Sequence, residues 1–201
     1  MISANQKIDH SKTLCTKCRT REATLSFSID PKTLCNRCFA EGLERRLRAR
    51  LRAFNLSAQT LIKYLDDKSA AAAATAFILH LMLGKTQTHI KRVTHVEPET
   101  FLPLSIEEVT AEGLRAFLDQ NVPLSLPRSA VANASMPELE MFCTLKGLSY
   151  TPRHPHQNRF LEEIQLKYPQ TYFSTLASLE QLERNTQKVK SRHPRSKKEQ
   201  L

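Results

Sequence analysis

The sequence predicts an α/β protein: an N-terminal four-cysteine zinc ribbon, then a small α/β domain whose C-terminal part is helical. Three observations predict it. Two C-x2-C hooks, Cys15-Thr16-Lys17-Cys18 and Cys35-Asn36-Arg37-Cys38, stand sixteen residues apart. A strand–helix–strand pattern follows between residues 59 and 96. Beyond it run apolar stripes at helical spacing, punctuated by serine caps, Gly147 and Pro169. The expected division is a zinc module with a basic helix over 1–54, the α/β domain over 55–185, and a basic disordered tail over 186–201.

Each hook can turn two sulfurs toward one ion, and two hooks complete a closed tetrahedron with no position left for water. Cys15, Cys18, Cys35 and Cys38 are therefore the expected ligands of a structural zinc. The competing reading is two disulfides. Met1–His10 has no apolar core of the kind a secretory signal needs, so the chain reads as cytoplasmic, where thiols stay reduced. Between the hooks, Ala23–Ile29 alternates apolar and polar residues as a hairpin strand does, and Asp30-Pro31-Lys32-Thr33 reads as the turn back to the second hook.

From Phe39 to about Phe54, Leu43, Leu47, Leu51 and Phe54 share one helical face. The same helix carries Arg45, Arg46, Arg48, Arg50 and Arg52, with only Glu41 and Glu44 near in sequence. Guanidinium forks suit phosphate oxygens, and the net charge of +10 favours a polyanion. These five arginines are the candidate nucleic-acid contacts. The alternative is a solvated face.

Gln59–Leu65 reads as a strand, Asp66-Asp67-Lys68 as a turn, and Ser69 as the cap of an alanine-rich helix buried all round and stopped at Gly84. His89–Val96 reads as the second strand, which makes one crossover unit of a parallel sheet. His80, His89 and His95 have no carboxylate or cysteine at ligand spacing. Ser105-Ile106-Glu107-Glu108 is a capping box opening a helix with Ile106, Val109, Leu114, Phe117 and Leu118 inward. Asn121–Ala134 reads as a connection. Ser135-Met136-Pro137-Glu138 is a second capping box, for a helix ending at Gly147 with Cys143 as a buried thiol. Two helices complete the domain, at about 157–168 and 170–185, with Phe160, Leu161, Ile164, Leu176, Leu179 and Leu182 as their stripes.

The four glycines, Gly42, Gly84, Gly113 and Gly147, are all isolated. Loops that cradle nucleotide phosphates cluster their glycines so that the backbone can approach the ligand. This chain has no such cluster. No uncharged run reaches membrane-spanning length.

At Cys15–Cys18, at Cys35-Asn36-Arg37-Cys38-Phe39 and along the arginine-rich helix, the sequence resembles the start of the cytoplasmic tRNA 2-thiolation protein 2 family. A second region resembles that family's late part in the same order. It comprises Glu138-Leu139-Glu140-Met141-Phe142, Lys146-Gly147-Leu148, Phe160–Gln165, Tyr168-Pro169-Gln170-Thr171, and Ser174-Thr175-Leu176 with Leu182. The resemblance covers both ends, about half of the chain. It implies a degenerate PP-loop-like α/β domain in a tRNA-binding, non-catalytic subunit. The implied partners are a catalytic thiouridylase subunit, which adenylates and thiolates the wobble uridine of tRNA, and, through that heterodimer, a ubiquitin-related sulfur carrier. The sequence departs from the family in a shorter middle region and in Asp66-Asp67-Lys68-Ser69, which stands where a Ser-Gly-Gly turn is expected. Both departures point away from catalysis. The alternative functions are an independent zinc-ribbon nucleic-acid-binding accessory protein and a zinc enzyme. The latter is disfavoured because four thiolates would fill the shell.

Overall fold

The computed structural model describes residues 13–27, 30–56, 61–84, 89–97, 99–119, 124–153, 159–168 and 170–192. The first hook is followed by an antiparallel ribbon of β1 (Leu25–Phe27) and β2 (Asp30–Leu34), with Leu25 opposite Leu34 and Phe27 opposite Asp30. The expected turn at Asp30–Thr33 is therefore strand. A two-stranded ribbon has an unpaired edge on each strand, and such an edge tolerates Pro31.

α1 (Asn36–Arg52) starts at the second hook and buries Phe39, Leu43, Leu47 and Leu51. A four-residue spacing keeps the three leucines in one stripe. β3 (Ile62–Leu65), α2 (Ala70–Leu83) and β4 (Ile90–Val93) form the expected crossover, with the two strands parallel and Ile62 opposite Ile90. Both strands are shorter than their sequence patterns. Phe101 adds a one-residue bridge on the other side of β3: its N–H donates to Lys63 O at 2.8 Å, and its carbonyl accepts from Leu65 N–H at 2.9 Å.

α2 is buried all round only in its first half. Ala70–Ala72, Ala74, Thr75, Ile78 and Leu79 are enclosed, whereas His80 and Leu81 face outward near its end. The alanines let α1 and α4 (Met136–Lys146) approach closely. Leu43, Leu47, Ile78, Leu79, Leu139 and Phe142 meet in the main core, so the helix that leaves the cysteine hooks is built into the α/β body. Full burial of each such side chain is worth about 1.5–3 kcal/mol.

A second core joins α3 (Ile106–Leu118), α5 (Arg159–Lys167) and α6 (Thr171–Arg192) through Ile106, Val109, Leu161, Tyr172 and Leu176. α6 runs past the end expected at 185. Phe117 and Leu118, expected inward, are exposed in the last turn of α3. The 124–134 segment has no regular structure, yet Ser129–Ala132 and Ala134 are fully buried. Its backbone can lie inside because it is paired: Ser129 Oγ donates to Leu104 O at 2.7 Å, Leu102 N–H to Arg128 O at 2.7 Å, and Ile106 N–H to Ala134 O at 2.9 Å. The Ser135 capping box forms in full and the Ser105 box on its glutamate side. Glu108 accepts from Ser105 N–H at 3.0 Å and Glu138 from Ser135 N–H at 2.9 Å, while Gly147 closes α4 at φ 66°. No helix among the described residues is long and apolar enough to cross a membrane.

Candidate metal centre and nucleic-acid interface

The first hook is a tight knuckle. Arg19 N–H donates to Cys15 O at 2.8 Å, Cys15 N–H donates to Arg21 O at 2.8 Å, and Arg19 takes the left-handed φ of 54°. The second hook is the start of α1: Cys35 is its extended N-cap residue and Cys38 lies in its first turn. Thr16 ties the two hooks, its N–H and hydroxyl both donating to Thr33 O at 2.9 and 3.0 Å. The sulfurs of Cys15, Cys18, Cys35 and Cys38 all lie within 4.8 Å of one another, so these four could hold a metal ion. All are free thiols, which disposes of the disulfide reading in this structure.

The Thr20 hydroxyl and N–H draw the Cys18 thiol down to about 5, and Cys15 is lowered foremost by the Cys18 N–H. Burial, then the neighbouring thiols, push Cys38 up to about 12. Packing four sulfurs together favours thiolate at some and opposes it at others, a conflict that a bound cation removes. Cys143 stands apart, fully buried on α4, its thiol donating to Ala70 O at 3.4 Å and held up at about 12 by burial. Among the described residues His80, His89 and His95 join no cluster of possible metal ligands.

The five arginines of α1 do not share one fate. Arg46 Nη2 lies 2.5 Å from Glu138 Oε1, whose side chain is 3% exposed. Arg48 pairs with Glu44 at 2.5 Å, and Lys146 reaches the same carboxylate at 2.8 Å. Arg50 pairs with Glu180 on α6 and donates from Nε to Ser129 O at 3.3 Å. Arg46 and Arg50 thus bind α1 to α4 and α6, whereas the Arg48 pair lies within α1. Arg45 and Arg52 are exposed, as are Lys17, Arg19 and Arg21 on the first hook. Of the five candidate contacts, Arg46 and Arg50 are engaged by acids that come from α4 and α6.

The turn after β3 leads into the N-terminus of α2, the place where open α/β sheets receive ligands. Three of its backbone donors are already taken. Asp66 Oδ1 accepts from Lys68 N–H at 2.8 Å, Asp67 Oδ1 from Ser69 N–H at 3.0 Å, and Ser69 Oγ from Ala72 N–H at 3.2 Å. Lys68 holds the turn at φ 64°, a conformation that glycine adopts without strain. Each acid is countered by an arginine: Arg92 Nε lies 2.6 Å from Asp66, and Arg153 Nη1 lies 2.5 Å from Asp67. Arg153 Nη2 also reaches Glu108 at 2.8 Å and Pro103 O at 3.1 Å. Arg153 carries no motif in the sequence, and only the fold brings it to this turn.

No family model matches the chain, and no curated protein matches it. Its fold does match a solved structure, the U34-tRNA thiolase NcsA from Methanococcus maripaludis with its [4Fe-4S] cluster. The TM-score is 0.65 over 85% of this chain and 88% of that one, at 10% sequence identity. The likeness establishes the architecture alone: an α/β fold shared with that structure, here with four cysteines gathered near its start.

Proposed function

We propose that this chain is a non-catalytic, tRNA-binding subunit of a tRNA wobble-uridine 2-thiolation complex, working in the cytoplasm as the heterodimeric partner of a catalytic thiouridylase. Sulfur reaches the complex from a ubiquitin-related carrier. The fold shared with a U34-tRNA thiolase supports the pathway, as does the resemblance of both ends to the tRNA 2-thiolation protein 2 family. The observation that carries the non-catalytic part is the turn after β3. An anion there needs free N–H groups around the start of α2, and three of them, on Lys68, Ser69 and Ala72, already donate to Asp66, Asp67 and Ser69. The obstacle is occupation more than repulsion, because Arg92 and Arg153 balance the two acids.

Zinc is the metal we assign to Cys15, Cys18, Cys35 and Cys38. Sulfurs on a zinc tetrahedron with bonds of about 2.3 Å stand roughly 3.8 Å apart. The Cys18–Cys35 separation is 4.0 Å and the whole set lies within 4.8 Å. A cubane cluster would put each thiolate on its own iron and spread the sulfurs further.

The test is calorimetric titration of the isolated, metal-loaded chain with ATP and magnesium, alongside affinity purification from cells with identification of the partner. The expected results are no heat of binding and a co-purifying thiouridylase. Micromolar ATP binding by the chain alone would overturn the non-catalytic assignment, and purification without a thiouridylase would overturn the subunit assignment.

A further inference from the structure

Between the cysteine hooks and α1 lies a cavity of ≈ 460 Å³, within the size range of small-ligand sites. Its apolar lining includes Phe27, Leu34, Phe39 and Leu43, and Phe27 stacks on Phe39 with ring centroids 5.0 Å apart at 24°. Lys17, Lys32 and Arg45 add cationic side chains, all three exposed. Gly42 also lines the cavity. It sits inside α1, where glycine costs about 1 kcal/mol relative to alanine. A Cβ built there meets nothing within 4 Å, and its φ is not in the left-handed region. Neither packing nor backbone conformation within the chain requires a glycine at this position. The space it leaves is open toward the cavity.

We propose that this cavity receives one unstacked nucleotide of an RNA strand, its base against the Phe27 wall and its flanking phosphates met by Lys17 and Arg45. An aromatic wall with a cationic border is the pairing by which single-stranded nucleic acid is held: the rings take bases of any sequence and the cations take phosphates. A duplex hides its bases and can offer only phosphate. Gly42 then gives the ribose or base edge room to approach the α1 backbone. The inference rests on the tRNA-binding reading above and goes further, because it assigns base contact to a site where the arginine helix alone would supply only charge.

The experiment compares two RNA hairpins of equal phosphate number, one with a single-stranded 3′ extension and one fully paired, binding the full metal-loaded chain at one salt concentration. The wild type should prefer the extended hairpin by roughly 5- to 150-fold, the span expected for one stacked base. Gly42→Met fills the cavity without altering charge and should abolish that preference while leaving affinity for the paired hairpin unchanged. Gly42→Ala adds one methyl group and serves as the folding control, with helical signal and metal content checked in both variants. Equal binding of the two hairpins by the wild type, or a preference that survives Gly42→Met, overturns the pocket and leaves the tRNA-binding reading standing. Failure to bind either hairpin, with bulk tRNA also unbound, overturns the tRNA-binding reading itself.

Discussion

Glu138 is the carboxylate on which several parts of the molecule converge. It accepts from Ser135 N–H at the start of α4 and pairs with Arg46 of α1 at 2.5 Å. Its side chain is 3% exposed, so removing Arg46 leaves a buried charge with only its cap bonds. Arg46→Ala should therefore cost about 2–3 kcal/mol. Arg45→Ala, one residue away and exposed, should change stability by less than about 0.5 kcal/mol. Urea midpoints of the two variants decide this, and equal midpoints would refute the structural role given to Arg46. Glu107 makes a second residue-scale case. Burial raises its carboxyl to about 7, above its ordinary range, and one of its oxygens has no partner. A raised acid holds its proton longer in the folded than in the unfolded state. Folding is therefore opposed progressively as pH rises from about 4.5 to about 7, and the full cost stays above that. Glu107→Gln should be near neutral at pH 4.5 and stabilising by up to about 3 kcal/mol at pH 8. Thermal melts at the two pH values check the sign; a gain at the lower pH alone would contradict it.

At the scale of elements, what the sequence made legible was what is local. The hooks, the two capping boxes, the Ser69 cap, the Gly147 stop and the parallel crossover all declare themselves within a few residues, because cap chemistry and ligand spacing act over one turn of chain. What stayed hidden was long-range. Arg46 and Arg50 find their acids 92 and 130 positions away, beyond any local search, which sees only Glu41 and Glu44. The 124–134 segment looks like surface connection from its proline and serines, yet its 129–134 part lies in the core because neighbouring backbone satisfies its polar groups. The stripe of α3 continues to Leu118 in sequence, but burial stops before Phe117. The cysteine module gives the element-scale prediction. β1 and β2 are short and only Leu25, Phe27 and Leu34 pack them against the main core, so a bound metal should add much of their order. α1, by contrast, is held by Leu43, Leu47 and Leu51 in the main core. Cys35→Ser should release about one equivalent of metal per chain and expose the amides of 15–34 to rapid hydrogen exchange, while those of 43–51 stay protected. Loss of protection across both stretches would show that the metal also holds α1; retention of metal and protection would remove these cysteines from the metal site.

For the whole molecule, the decisive quantity is how much of the +10 charge is free to meet a polyanion. Arg46, Arg48, Arg50, Arg92 and Arg153 are engaged in ion pairs within the protein, so the free positive surface is smaller than composition suggests. Among the described residues, its exposed cations include Lys17, Arg19 and Arg21 on the first hook, Arg45 beside the cavity, and Arg52 at the far end of α1. Each phosphate met by one of these cations releases condensed counterions, about 0.7–0.9 per phosphate in the slope of log affinity against log salt. Replacing Arg45 and Arg52 together by Gln should flatten that slope for tRNA by roughly 1.4–1.8 if both meet phosphate. Stability should stay close to wild type, since neither guanidinium lies buried against an acid. Replacing Arg46 and Arg50 instead should lower stability first, and any loss of RNA binding would follow from that. The two double variants thus separate contact from scaffold, provided the salt slope is measured with the assembled complex and the melting point with the chain alone. An unchanged slope in the Arg45/Arg52 variant would mean that α1 presents an ordinary solvated edge, and that the first hook or the residues beyond 192 carry the RNA.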